Sequence, residues 1–170
     1  MKGVIDFLTS DTLIAKTLRT HYVFRIVPML NPDGVIYGNY RCSLLGYDLN
    51  RHWKNPDRIL QPTIFYTKEL IRVMKEEREI SFFCDLHGHS TQSNVFMYGC
   101  SWATNELEWI SKSASVRLIP LLISQMDDKF SYKSSKFRME KSKESTARIV
   151  VFKEFNIWNS YTCEASFLGY

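Results

Sequence analysis

Asp85-Leu86-His87-Gly88-His89-Ser90 is the stretch of this 170-residue chain whose residue types best suit chemistry. It closes a short apolar run, Ile80-Ser81-Phe82-Phe83-Cys84, that reads as a buried strand. An imidazole at a strand end, beside a glycine that lets the chain turn, offers a nitrogen to a metal or a substrate. Asp85, two residues earlier, suits an acceptor that orients the His87 ring. His87 and His89 are expected on opposite sides of the strand, so that only one of them enters a given site. The limit is equally plain. A catalytic zinc takes about three protein ligands, and this chain has 4 histidines in all, none in an HxxH or HxxE pair.

Further candidates stand apart in sequence. Asn50-Arg51 lies in a long polar stretch. A guanidinium grips a carboxylate with two parallel bonds, and a neighbouring amide donates another, so the pair suits a carboxylate clamp. Arg41, in the same stretch, suits polarising a carbonyl or stabilising an oxyanion; an exposed loop charge is the bland alternative. Glu164 interrupts an uncharged strand-like segment, where a carboxylate is either paired or tuned for general-base work. Tyr161, three residues earlier, falls on the opposite side of an ideal strand.

The elements that must position these groups follow from periodicity. Apolar spacing predicts a helix or helix pair over residues 4–18, with Asp11 as a cap. Tyr22 to Leu30 reads as a central strand ending in the turn signal Asn31-Pro32-Asp33-Gly34. Residues 35–61 are polar and irregular, which in a compact domain points to function. Pro62 to Glu79 has helical spacing. Further strands are expected at Asn94–Gly99 and Tyr161–Ser166, a helix over 104–118, and a solvated surface segment over 127–145. Ala147 to Phe152 is a strand or the start of a helix. Alternating helices and apolar strands imply an α/β fold, with a mixed, mainly parallel sheet sandwiched by helices. Ligands in such sheets bind beyond the carboxyl ends of strands.

Composition removes several classes. The formal net charge of +4 is mild, and no basic run interleaves with aromatics, so no nucleic-acid partner is expected. No apolar run approaches the ~20 residues that span a bilayer, so no membrane partner is expected. The N-terminus lacks a secretory pattern. The 4 cysteines, Cys42, Cys84, Cys100 and Cys163, are scattered and read as reduced thiols of a cytoplasmic protein.

Taken together, Pro28-Met29-Leu30-Asn31-Pro32-Asp33-Gly34-Val35, Arg41-Cys42-Ser43-Leu44, Asp48-Leu49-Asn50-Arg51-His52-Trp53, Asp85 to Ser90 and Ser160 to Phe167 resemble the zinc carboxypeptidases. Within them the chain is most similar to the cytosolic carboxypeptidases, which trim glutamates from tubulin and other glutamate-rich protein tails. The resemblance implies zinc as cofactor, with His87 as one of three protein ligands. It implies Asn50 and Arg51 as the grip on the terminal carboxylate, with Tyr161 also toward the substrate. Arg41 would polarise the scissile carbonyl and Glu164 would act as general base. Arg148 lies near the position that selects the departing side chain, where an arginine suits glutamate.

One departure stands out. The family's other two zinc ligands come from an HxxE motif upstream of Asn31, and none is present; three residues after His21 stands Phe24. The expectation is therefore residues 1–170 as part of a catalytic domain, incomplete at both ends, with weak zinc binding on its own. A metal-free module that binds acidic carboxyl termini without cleaving them is the alternative.

Overall fold

A computed structural model describes residues 1–101 and 107–169. Helices α1 (Lys2–Thr9) and α2 (Leu13–His21) pack on each other, as expected. The cap of α2 is Thr12, whose Oγ1 accepts from the Ala15 amide at 3.3 Å. Asp11 pairs instead with Lys16 at 3.2 Å. The expected central strand from Tyr22 to Leu30 is extended but joins no ladder among the described residues. Its apolar side chains stay in solvent: Tyr22 is 54 % exposed, Val23 50 % and Phe24 42 %. An apolar run becomes a strand only when a neighbour completes its hydrogen bonds, and no described strand lies there to do so.

The Asn31 turn proves to be a helix start. Asn31 Oδ1 accepts from the Gly34 amide at 3.1 Å, Pro32 takes the first turn, and α3 (Pro32–Tyr37) runs to Gly38 at φ 73°. Asn31 Nδ2 also donates to the Cys42 carbonyl at 3.2 Å. A Cβ on Gly34 would come within 2.5 Å of that same oxygen, so only glycine fits.

Residues 38–61 are irregular but anchored. Trp53 is fully buried, and its amide donates to the Ser145 carbonyl at 3.1 Å. Helix α4 (Pro62–Glu77) buries Ile64 and Ile71 and turns Glu69, Arg72 and Glu76 to solvent as a linked ion triplet.

Strands β1 (Phe83–His89), β2 (Val95–Ser101), β3 (Lys136–Arg138) and β4 (Ser160–Ser166) form one sheet in the order β1-β4-β2-β3. β1 and β4 run parallel, β4 and β2 antiparallel, β2 and β3 parallel, so the sheet is mixed and mainly parallel. Helix α5 (Leu107–Met126) covers one face, with Val116 packed among Met97, Phe130, Phe137 and Tyr161. The expected helix over 104–118 thus extends through the next apolar run; residues 104–106 lie outside the described part.

Helices α4 and α6 (Ala147–Phe155) cover the other face, with Trp53, Ile64, Val150 and Val151 in one cluster and Cys100, Ile149 and Phe152 in the next. Residues 147–152 are therefore helical. The 127–145 segment is more than a solvated surface, because it supplies β3 and buries Phe130 and Phe137.

Candidate active site

In strands, alternate residues share a face. The parallel register places His87 opposite Glu164 and Asp85 opposite Thr162. The antiparallel register places Phe96 opposite Glu164 and Tyr98 opposite Thr162. Asp85, His87, His89, Glu164, Phe96 and Tyr98 thus share one face, at the carboxyl ends of β1 and β4. Helix α6 covers the other end of that face: Ser160 Oγ donates to the Arg148 carbonyl at 2.8 Å. The site occupies the part α6 leaves open.

His87 Nε2 and Asp85 Oδ2 lie 2.7 Å apart, the orienting contact expected of that spacing. The expectation that His89 faces away from His87 is corrected, since two residues along a strand is an even number of steps and returns to the same face, but His89 is committed elsewhere. Its Nδ1 accepts from the Thr91 and Gln92 amides at 3.3 and 3.1 Å, and its ring meets Phe96 edge-on.

The loop residues converge through a residue the sequence reading left without a role. Asp48 receives Arg41 Nε at 3.0 Å and lies 3.9 Å from Arg51 Nη1. Its other oxygen accepts from the Asn50 amide at 3.1 Å, starting the short 3₁₀ turn Leu49–Arg51. One carboxylate therefore shapes the turn and gathers both arginines. The signal was available: an Asp two residues before an Asn, within reach of two arginines, is an Asx turn with charge to spare. Asn50 Oδ1 accepts from the Ala147 amide at 2.9 Å and so satisfies one of the unpaired amides at the buried N-terminus of α6. Arg41 is close enough to act electrostatically on both His87 and Glu164.

Arg148, on the first turn of α6, is buried. It donates to the Gly99 carbonyl, reaches Cys100 Sγ at 3.4 Å and lies 5.9 Å from the centre of the Tyr98 ring. Among the described residues it has no carboxylate partner. Tyr98 is a second residue the sequence reading did not single out, although its alternation with Phe96 in β2 marks the face it takes.

Tyr161 does not join this group. It is fully buried against α5, on the other face, and its hydroxyl donates to the Val116 carbonyl at 2.8 Å. Its expected substrate role is corrected: three residues from Glu164 is an odd number of steps, and β4 has no bulge at that point to turn Tyr161 round.

The electrostatics suit proton handling. Burial pushes the Glu164 carboxyl above its ordinary range, and His87 and His89 pull back against it. Burial opposes charge on His87, but the Asp85 hydrogen bond and the fields of Asp85 and Glu164 outweigh it and leave the imidazole raised. Behind the site, Cys84 is held far up by its hydrogen bond with Cys163 and by burial, so it is an inert thiol.

The zinc that the sequence resemblance implies meets a partial donor set. Among the described residues no group of three His, Cys, Asp or Glu side chains is arranged to hold a metal. His87, steadied by Asp85, is the ligand that the resemblance assigns to this face, and zinc takes about three. These residues as folded do not complete a zinc site.

Comparison with known proteins places this geometry. The family model described as zinc carboxypeptidase matches residues 3–168. Cytosolic carboxypeptidase 1 of Xenopus laevis is 47 % identical over 99 % of this chain, and cytosolic carboxypeptidase 2 of Danio rerio is 48 % identical over the same share. The chain spans 14 % and 23 % of the lengths of those two relatives. Among solved structures, a metallo-carboxypeptidase from Burkholderia cenocepacia shares the fold at a TM-score of 0.78 with 24 % identity, over 97 % of this chain and 42 % of that one. A metallo-carboxypeptidase from Pseudomonas aeruginosa, in complex with (2-guanidinoethylmercapto)succinic acid, matches at 0.63 with 25 % identity, over 83 % of this chain and 36 % of that one. No helix among the described residues is long and apolar enough to cross a membrane.

Proposed function

Because the chain belongs to the zinc carboxypeptidase family, we propose that it supplies the carboxylate grip and the proton-handling centre of a metallocarboxypeptidase that trims glutamates from acidic protein tails in the cytoplasm, tubulin among them. The observation that carries this reading is the meeting of Glu164 and His87 on one face within the field of Arg41, whose partner Asp48 also anchors Asn50 and Arg51.

Each group has a task that its surroundings suit. Arg51, with the Asn50 amide, receives the terminal carboxylate. Arg41 faces charge that develops on the scissile carbonyl oxygen. Glu164, with its raised pKa, accepts a proton from an attacking water and returns it to the leaving nitrogen. Arg148 is a buried guanidinium whose described partners are a carbonyl, a thiol and a ring. Such a cation favours an incoming carboxylate, which supports glutamate as the departing residue.

The incomplete donor set favours a second reading, a module that binds acidic carboxyl termini without cleaving them. Calorimetry separates the possibilities. An acetylated diglutamate with a free carboxyl end is expected to bind, and its amide to bind at least tenfold more weakly. Equal binding of the two overturns the grip. Glutamate release on adding zinc then identifies the enzyme, and binding without release identifies the module.

A further inference from the structure

The chain from Phe130 to Lys143 lies beside the site and carries charge that the fold does not answer. It is held from within. Phe130 and Phe137 are buried, the Val95 amide donates to the Lys129 carbonyl while the Val95 carbonyl accepts from the Ser131 amide, and Ser135 Oγ accepts from the Met97 amide at 3.0 Å. With its apolar residues inward, it turns Lys133, Lys136, Arg138 and Lys141 to solvent and leaves Lys143 half-buried. Among the described residues none of these five cations has an ion-pair partner, and the one carboxylate of residues 133–143, Glu140, is exposed, which leaves five cations against one anion. Elsewhere Lys2, Lys16, Lys68 and Arg72 do have carboxylate partners. Strand β3 sits at the sheet edge, and its register sets Lys136 beside Tyr98, the residue over Arg148. The unpaired charge is therefore continuous with the site.

We propose that residues 133–143, with β3 at their centre, form a docking track for the acidic chain that precedes the residue held at Asn50 and Arg51. This rests on the proposed function and extends it from one terminal residue to the tail behind it. Strands lie about 4.8 Å apart, so β3 stands about 10 Å from β4, the reach of about three extended residues. A tail must be about four residues long before it meets Lys136, and longer tails gain more. A nucleic-acid partner is disfavoured because the one aromatic ring of the track, Phe137, is buried in the core and leaves no stacking platform.

The test uses acetylated diglutamate and octaglutamate with free carboxyl ends. The unaltered chain is expected to bind octaglutamate about tenfold more tightly, an advantage that shrinks as salt rises. The variant K133E/K136E/R138E/K141E is expected to lose that advantage while holding diglutamate affinity within about twofold and its melting temperature unchanged. The milder K133Q/K136Q/R138Q/K141Q, a safeguard against misfolding, is expected to keep an advantage of about threefold or less. A tenfold advantage retained in either folded variant overturns the track, as does an eight-nucleotide oligothymidylate that binds as tightly as octaglutamate. The grip itself is read separately, from diglutamate against its amide, where the track plays no part.

Discussion

The two faces of the sheet are built from the same strands and differ in nearly every physical respect. Toward α5, Tyr161, Met97 and Phe137 close against Val116 with little polar content beyond the Tyr161 hydroxyl bond. Toward α4 and α6, the amino ends of the strands are sealed by Phe83, Trp53 and Phe152, but the carboxyl ends open into Asp85, His87 and Glu164 among arginines. Alternation along β4 alone makes the division, since Tyr161 serves one face and Glu164 the other. The comparison teaches that stability and chemistry here are separable by odd and even steps along one strand.

The largest expected effect belongs to the closed face. Tyr161→Ala should cost about 3–5 kcal/mol in urea unfolding, as the loss of a buried aromatic does. Tyr161→Phe should cost about 1–2 kcal/mol through the orphaned Val116 carbonyl and leave diglutamate affinity within about twofold. A large loss of affinity in Tyr161→Phe would join the two faces again. On the open face the pattern reverses. Asp48→Asn should cost about 1 kcal/mol or less of stability but weaken diglutamate binding about tenfold, because Arg41 and Arg51 lose their shared anchor. Unchanged binding would show the arginines to be placed by something other than Asp48.

The open face should also write a pH dependence into the metal-free chain. Glu164 and His87 both have raised values in the fold, so the folded state holds protons that the unfolded state has released. Stability is fully present below the ordinary values and falls as pH rises, first from 4.5 through the raised Glu164 value, then from 6.5 through the raised His87 value. Glu164→Gln should abolish the first fall and shrink the second, since Glu164 supports the imidazolium. Melting temperatures across that range decide it, and an unaltered profile in Glu164→Gln would refute the assignment. The smallest effect is expected away from both faces: Phe24→Ser, on the unpaired run, should shift stability by less than about 0.5 kcal/mol.

That last position marks where the sequence misleads. Tyr22 to Leu30 and Tyr161 to Ser166 have similar strand signatures, yet only the second is paired on both sides. Periodicity reports what a segment can bury; whether a neighbour arrives is a property of the whole chain. The β2 strand, α4 and the mixed sheet were legible because length, pattern and turn residues agreed, whereas β1 runs over Phe83–His89 and not over the expected Ile80–Cys84, because pairing with β4 draws the polar histidine motif into the ladder. The 127–145 segment was not, because two buried aromatics among many lysines and serines carry little periodic signal. Within the site, His87 with Asp85, Arg41, Asn50, Arg51 and Glu164 were legible as residue types; the fold sets His87, Asp85 and Glu164 on one face and gathers Arg41, Asn50 and Arg51 around Asp48. Asp48 and Tyr98 were not, since their roles depend on contacts across separate elements.

Asn50 carries a consequence of its own. Its carbonyl oxygen is already spent on the Ala147 amide, so the amide cannot rotate end for end without stranding a helix terminus. The group is wired in one polarity: oxygen toward the scaffold, NH₂ toward whatever arrives. A side-chain amide left loose would present a donor or an acceptor with equal ease. Here α6 has settled that choice before any ligand comes, and the front of Asn50 can only give hydrogen bonds.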